Sequence, residues 1–137
     1  KIKAIAEHKL LKARITAPLF LYDGHTLPFP DNHFDKVFSS LVFHQLNAET
    51  KANCFKELHR VLKPNGKLII GDWGKAQNIL MRITFYFVQL LDGFETTQEN
   101  VDGVLPSYIQ EAGFSNVTEI DYINTVIGTY SYYRGIK

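Results

Sequence analysis

Cysteine, net charge and long apolar runs are all scarce in this sequence. A single cysteine, Cys54, among 137 residues excludes an internal disulfide and a cysteine-rich zinc cluster. It falls in an amphipathic pattern, so it reads as a half-buried small apolar residue, and a cytoplasmic compartment is expected. Fifteen basic residues against fourteen acidic leave a net charge of +1, with no basic stripe for nucleic acid and no acidic tail. The most apolar run, 79–91, is short for a membrane span and is interrupted by Arg82 and Gln89, so a buried or lid-type helix is expected there and no membrane partner. Residues 1–14 are too charged to form the core of a signal peptide. His8, His25, His33 and His59 show no metal-ligand spacing, so no metal site is expected. Lys1 is not a start residue, and the N-terminus is read as trimmed, processed or engineered.

What is present suits one domain: 45% of the residues are hydrophobic, enough for a core. Ile2, Ile5, Ala6, Leu10 and Ala13 recur at helical spacing, which predicts an amphipathic helix over 1–14. After Pro18, the apolar run 19–22 ends in Asp23-Gly24, a buried strand followed by a turn. Residues 25–33 carry Pro28, Pro30, Asp31 and Asn32 and read as a loop. The β-branched and aromatic stretch 34–44 is split by Ser39-Ser40, where the strand is expected to end with its tip facing something polar.

Asn47 suits the N-cap of a helix over 48–62, with Phe55, Leu58 and Leu62 as its apolar stripe and Pro64-Asn65-Gly66 as its stop. A buried strand over 67–72 follows, then helices over 76–91 and 99–112, the latter closed by Gly113. Two strands end the chain, 117–124 and 128–135, the second alternating Tyr130, Tyr132 and Arg134 against Ser131, Tyr133 and Gly135. Apolar runs without alternation mark strands covered on both faces. The fold class is therefore α/β: a mostly parallel sheet with an antiparallel C-terminal strand pair and helices on both faces.

Several of these segments resemble one known family. The stretch from Tyr22-Asp23-Gly24 through Leu27-Pro28-Phe29-Pro30-Asp31 to Asp35 is similar to the end of the third strand and start of the fourth in small-molecule, class I S-adenosylmethionine (SAM)-dependent methyltransferases. Ser39-Ser40-Leu41 and the residues to Leu46 resemble the exit of that fourth strand. Glu57-Leu58-His59-Arg60-Val61-Leu62-Lys63-Pro64-Asn65-Gly66 resembles the helix–turn–strand unit that follows, and Glu111-Ala112-Gly113-Phe114 the approach to the last strand pair. The order is kept along the whole chain, and the nearest group is the substrate-diverse one labelled type 11. The resemblance implies an incomplete Rossmann-like methyltransferase fold, with residues 1–137 as a single, N-terminally truncated domain.

The departures matter as much. The family opens with a strand, a Gly-rich turn, a helix and a second strand ending in an acid, and no G-x-G occurs in this sequence. A strand–helix–strand unit takes roughly 30 residues or more. In the family the Gly-rich turn lets backbone N–H groups approach the cofactor, and the acid holds its ribose hydroxyls. The 137 residues alone are therefore expected to bind SAM weakly or not at all. In the family the first two strands also lie between the third and fourth, so a gap in the sheet is expected.

The resemblance assigns Asp23 and the Gly24 backbone to the adenine ring, and Ser39, Ser40 and Leu41 to the methionine part of SAM. An Asp-Gly turn that bonds its own backbone, and serine capping of a strand end, are the structural alternatives. His44 is the candidate general base, or else a hydrogen-bonded structural histidine. Trp73, Phe85 and Tyr86, with Phe87 and Phe94, are the candidates for an acceptor pocket suited to an apolar or planar molecule, or else core packing. The implied function is methyl transfer from SAM to a small-molecule acceptor. Three alternatives stand beside it. One is a non-catalytic remnant that self-associates through open sheet edges or helix 79–91. Another is a flavodoxin-like nucleotide-binding domain. The third is a front segment lost by proteolysis or missing from the record.

Overall fold

The computed structural model describes residues 2–75, 83, 86, 90, 103–126 and 128–137. The expected helix 76–91 and the start of the expected helix 99–112 lie almost wholly outside these, as do Phe85, Phe87 and Phe94. The described elements are α1 (Ile2–Lys12), β1 (Phe34–Ser40), a 3₁₀ turn (Phe43–Gln45), α2 (Ala48–Val61), β2 (Leu62–Gly74), α3 (Leu105–Glu111), β3 (Ser115–Thr125) and β4 (Gly128–Ile136).

One sheet has the order β1-β2-β4-β3. β1 runs parallel to β2, while β4 lies antiparallel to both β2 and β3. Parallel pairing and an antiparallel C-terminal pair thus join in one mixed sheet. α2 and α3 cover one face. Cys54, Phe55 and Leu58 of α2 and Leu105 and Ile109 of α3 pack there against Leu68, Ile70 and Tyr133. The fully buried Lys51 adds its ammonium 5.3 Å from the Tyr108 ring centroid, a second tie between the two helices. The alternation in β4 is as expected: Ser131, Tyr133 and Gly135 are buried, while Tyr130, Tyr132 and Arg134 take the more open face.

The local signals of α2 hold at both ends. Asn47 accepts a 2.9 Å hydrogen bond from the Thr50 N–H, closing the first turn. The helix stops at Val61. β2 begins at once, five residues earlier than the sequence pattern predicts. Asn65 takes a left-handed φ of +64°, and its N–H donates to the Lys137 carbonyl, so the expected stop becomes an irregular strand start paired with the end of β4.

Two expectations need correction. Residues 19–22 form no strand: Phe20 and Leu21 are exposed, although Tyr22 packs against the core. A strand exists only with a ladder partner, and among the described residues none stands beside this run. α1 is helical but buries no residue, so its apolar positions form no packed stripe.

The loop over 25–33 is held by α2. Arg60 donates to Glu57 through Nε (2.8 Å) and through a terminal nitrogen (2.7 Å). The same guanidinium donates to the Leu27 and Phe29 carbonyls at 3.1 and 2.9 Å and to Asp31 at 2.7 Å. Glu57 closes the circuit by accepting from the Leu27 N–H at 2.8 Å. The Asp31 side chain is 70% exposed against 15% for Glu57, so the Glu57 arm carries most of the stabilisation.

Arg60→Ala is expected to cost about 2–3 kcal/mol in urea denaturation, because it strips two loop carbonyls and a half-buried carboxylate of their donor. The Arg60 guanidinium, and then the Leu27 N–H, hold the Glu57 carboxyl below the usual carboxylate range. Ionised Glu57 therefore adds stability that is present at neutral pH and is lost as pH falls from about 5 through its depressed folded value. Urea titrations from pH 7 to 3 should show a shallower acid limb for Glu57→Gln. Identical limbs would contradict the assignment.

Candidate functional site

The site is built where β1 ends. Leu41, the next residue, has φ +54°, a left-handed conformation that costs a branched side chain about 1 kcal/mol or more. Its N–H donates to the Gly71 carbonyl at 2.9 Å, which keeps the turn beside β2. The chain then crosses toward α2 through the 3₁₀ turn.

Asp72 of β2 holds that crossing. Its side chain is fully buried. Oδ2 accepts from the N–H groups of Val42 (3.2 Å), Phe43 (2.7 Å) and His44 (3.3 Å). Oδ1 accepts from His44 Nδ1 at 2.7 Å and from the Trp73 N–H at 2.8 Å. A buried carboxylate is tolerated only when donors surround it, and here they do. Phe43 adds an apolar tie, its ring stacked on Phe55 of α2 at 4.2 Å between centroids.

His44 is 5% exposed, and Gln45 Nε2 lies 3.3 Å from its Nε2. Nδ1 is engaged by Asp72 and Nε2 by Gln45, so a reactant would reach Nε2 only by displacing the Gln45 amide. Ser39 is half-buried on the α2 side, while Ser40 lies on the opposite, more open face. There its Oγ sits 2.8 Å from Tyr130 Oη. Trp73 stands edge-on to Tyr130 at 6.4 Å on that face.

Asp23 and Gly24 come to the same end of the molecule, since a Cβ on Gly24 would lie 3.6 Å from Thr50 in the first turn of α2. Asp23 is exposed and forms the turn the sequence offers as its structural alternative: Oδ1 accepts from the His25 N–H (2.9 Å) and the Thr26 N–H (3.4 Å). The first of these bonds leads in lowering its pKa. Tyr86 is half exposed, and Phe85 lies outside the described residues. Sequence reasoning missed Asp72 and Tyr130. An acid closing an otherwise apolar strand was the available signal for Asp72. Tyr130 had none, because its partner is 90 positions away.

Leu41→Gly should be neutral or slightly stabilising, within about 0.5 kcal/mol of wild type or above it, because glycine removes the left-handed strain. Val42→Gly is the control, with similar exposure (43% against 46%) but a φ of −118°. It should lose about 1 kcal/mol. Equal losses in chemical denaturation would show that Leu41 is unstrained.

Residues 2–70, half of the chain, match the family described as methyltransferase domain. The chain is 33% identical over 133 residues to the ubiquinone/menaquinone biosynthesis C-methyltransferase UbiE of Pseudomonas fluorescens (strain SBW25), covering 84% of this chain and 50% of that protein. It is 30% identical over 150 residues to UbiE of Laribacter hongkongensis (strain HLHK9), covering 97% of this chain and 59% of that protein. The chain thus spans about half the length of the curated relatives it matches. Among solved structures, the YcgJ protein from Bacillus subtilis superposes with a TM-score of 0.71 at 14% identity, covering 98% of this chain and 77% of that one. A SAM-dependent methyltransferase from Aquifex aeolicus gives 0.59 at 22% identity, covering 96% and 62%. At these identities the two structures show the shared fold alone.

Proposed function

We propose a function from a settled premise: the chain belongs to the methyltransferase domain family. The reaction proposed is transfer of a methyl group from SAM to a small-molecule acceptor. The observation that carries it is the strained Leu41 backbone at the carboxyl end of β1, fixed by the buried Asp72 carboxylate. Ligands of open α/β sheets bind outside the carboxyl ends of strands, and a strained residue kept in place by its surroundings points to a site.

The residues present offer contacts for two parts of the cofactor. The peptide groups of Ser39, Ser40 and Leu41 would hold its methionine part, and Asp23 with the Gly24 N–H its adenine. When bound, SAM supplies a sulfonium methyl open to in-line attack. The chain's own part is alignment and exclusion of water. His44 Nε2 would take a proton where the acceptor must lose one. Its burial favours the other role, in which the imidazole fixes the turn. Trp73 beside Tyr130, with Tyr86, supports an apolar or planar acceptor rather than nucleic acid, and the net charge of +1 agrees. UbiE relatives carry C-methyltransferase in their names, and a carbon nucleophile is the acceptor atom we favour. We take residues 1–137 as one methyltransferase-like domain, cytoplasmic in this reading. Among the described residues no helix is long and apolar enough to cross a membrane.

A second reading, a non-catalytic module that pairs or self-associates through the β1 edge, draws on the 67% exposure of Phe38. SAM titration by calorimetry separates the two. The natural protein is expected to bind SAM at micromolar concentration, and the 137 residues alone weakly or not at all, since they contain no G-x-G turn. Failure of the natural protein to bind would overturn the enzyme reading in favour of the module. Micromolar binding by the 137 residues alone would overturn the expected dependence on a Gly-rich turn.

A further inference from the structure

We propose that Tyr130 is a positioning residue for the cofactor site, acting through Ser40; the inference rests on the SAM reading above. Tyr130 belongs to β4, two strands from β1 in the sheet. Its side chain crosses β2 and brings Oη to 2.8 Å from Ser40 Oγ. The crossing is open because residue 71 is glycine: a Cβ there would collide with Tyr130 Oη and its ring. The ring is kept upright by edge-on contacts with Tyr132 at 5.0 Å and Trp73 at 6.4 Å. Ser40, Gly71 and Tyr130 are thus one unit drawn from three strands.

The position of this bond gives it a role. It tethers the residue just before the left-handed Leu41, while Asp72 tethers the three residues just after it. A strained backbone persists only where its surroundings over-determine it. Asp72 acts from the face covered by α2, and Tyr130 from the opposite face. Loss of the Tyr130 tether leaves the Ser40–Leu41 peptide held by the Leu41 N–H bond to the Gly71 carbonyl and by Asp72 beyond it, so it departs more readily from the geometry that would meet the ligand. The bond is solvent-exposed, so it adds little to global stability and its effect is local.

Tyr130→Phe removes the hydroxyl and keeps the ring, and Ser40→Ala removes the other half. In the natural protein each should raise the Kd for SAM about three- to tenfold, the equivalent of one hydrogen bond, with the unfolding midpoint unchanged. The double variant should be no weaker than either single one. Hydrogen–deuterium exchange at the Leu41 amide, measured without SAM, should be faster in both single variants. Unchanged exchange would overturn the tether, whatever SAM does. Faster exchange with unchanged SAM affinity would show a tether that positions nothing for the cofactor, and multiplicative losses in the double variant would show two independent residues. If the wild-type protein binds no SAM, the functional reading fails and the inference with it, and the exchange data then report only a structural clamp.

Discussion

A buried carboxylate surrounded by donors organises this end of the molecule. Asp72 collects the N–H groups of Val42, Phe43 and His44, the His44 ring and the Trp73 N–H. The amides of a tight turn point inward at a shared centre, and without an acceptor they would be buried donors with nowhere to go. Conversely, a buried carboxyl group without them would leave its own oxygens unpaired. Each half makes the other tolerable. The β1 exit, the start of α2 and the end of β2 are thereby fixed to one point, and Phe43 on Phe55 seals it with apolar contact. The candidate site is the outer surface of that junction.

A second polar junction ties the segments that carry the family resemblance. The proline-containing loop and the end of α2, just before Pro64-Asn65-Gly66, are far apart in sequence, yet Arg60 and Glu57 bind both into one circuit. Their joint appearance has a physical cause, because Arg60 and Glu57 without the loop would lose partners, and the loop without them would leave carbonyls unpaired. The same circuit holds Leu27 near the core, and so anchors the Asp23-Gly24 turn that precedes it.

What was legible in the sequence was what local chemistry decides. Asn47 marked the start of α2, the serines marked the end of β1, and alternation in β4 sorted buried from open side chains. The run 19–22 misled because strand formation depends on a neighbour, which no local pattern reports. Asp23 offered both a ligand role and a self-capping turn, and the backbone shows the turn. Asp72 showed only as an acid closing an apolar strand, and Tyr130 gave no signal, because their partners lie 28 to 30 and 90 positions away. Sequence spacing carries such pairs only through resemblance, and the resemblance named the strand exit without naming what holds it.

The most direct test is equilibrium urea denaturation of Asp72→Asn beside wild type at pH 7. Asparagine keeps the shape but removes the charge and turns an amide nitrogen toward groups that are themselves donors. A loss of about 3–5 kcal/mol is expected, the scale for breaking a buried charged network. A loss within about 0.5 kcal/mol, the scale of an ordinary surface change, would contradict the claim that this carboxylate holds the site together.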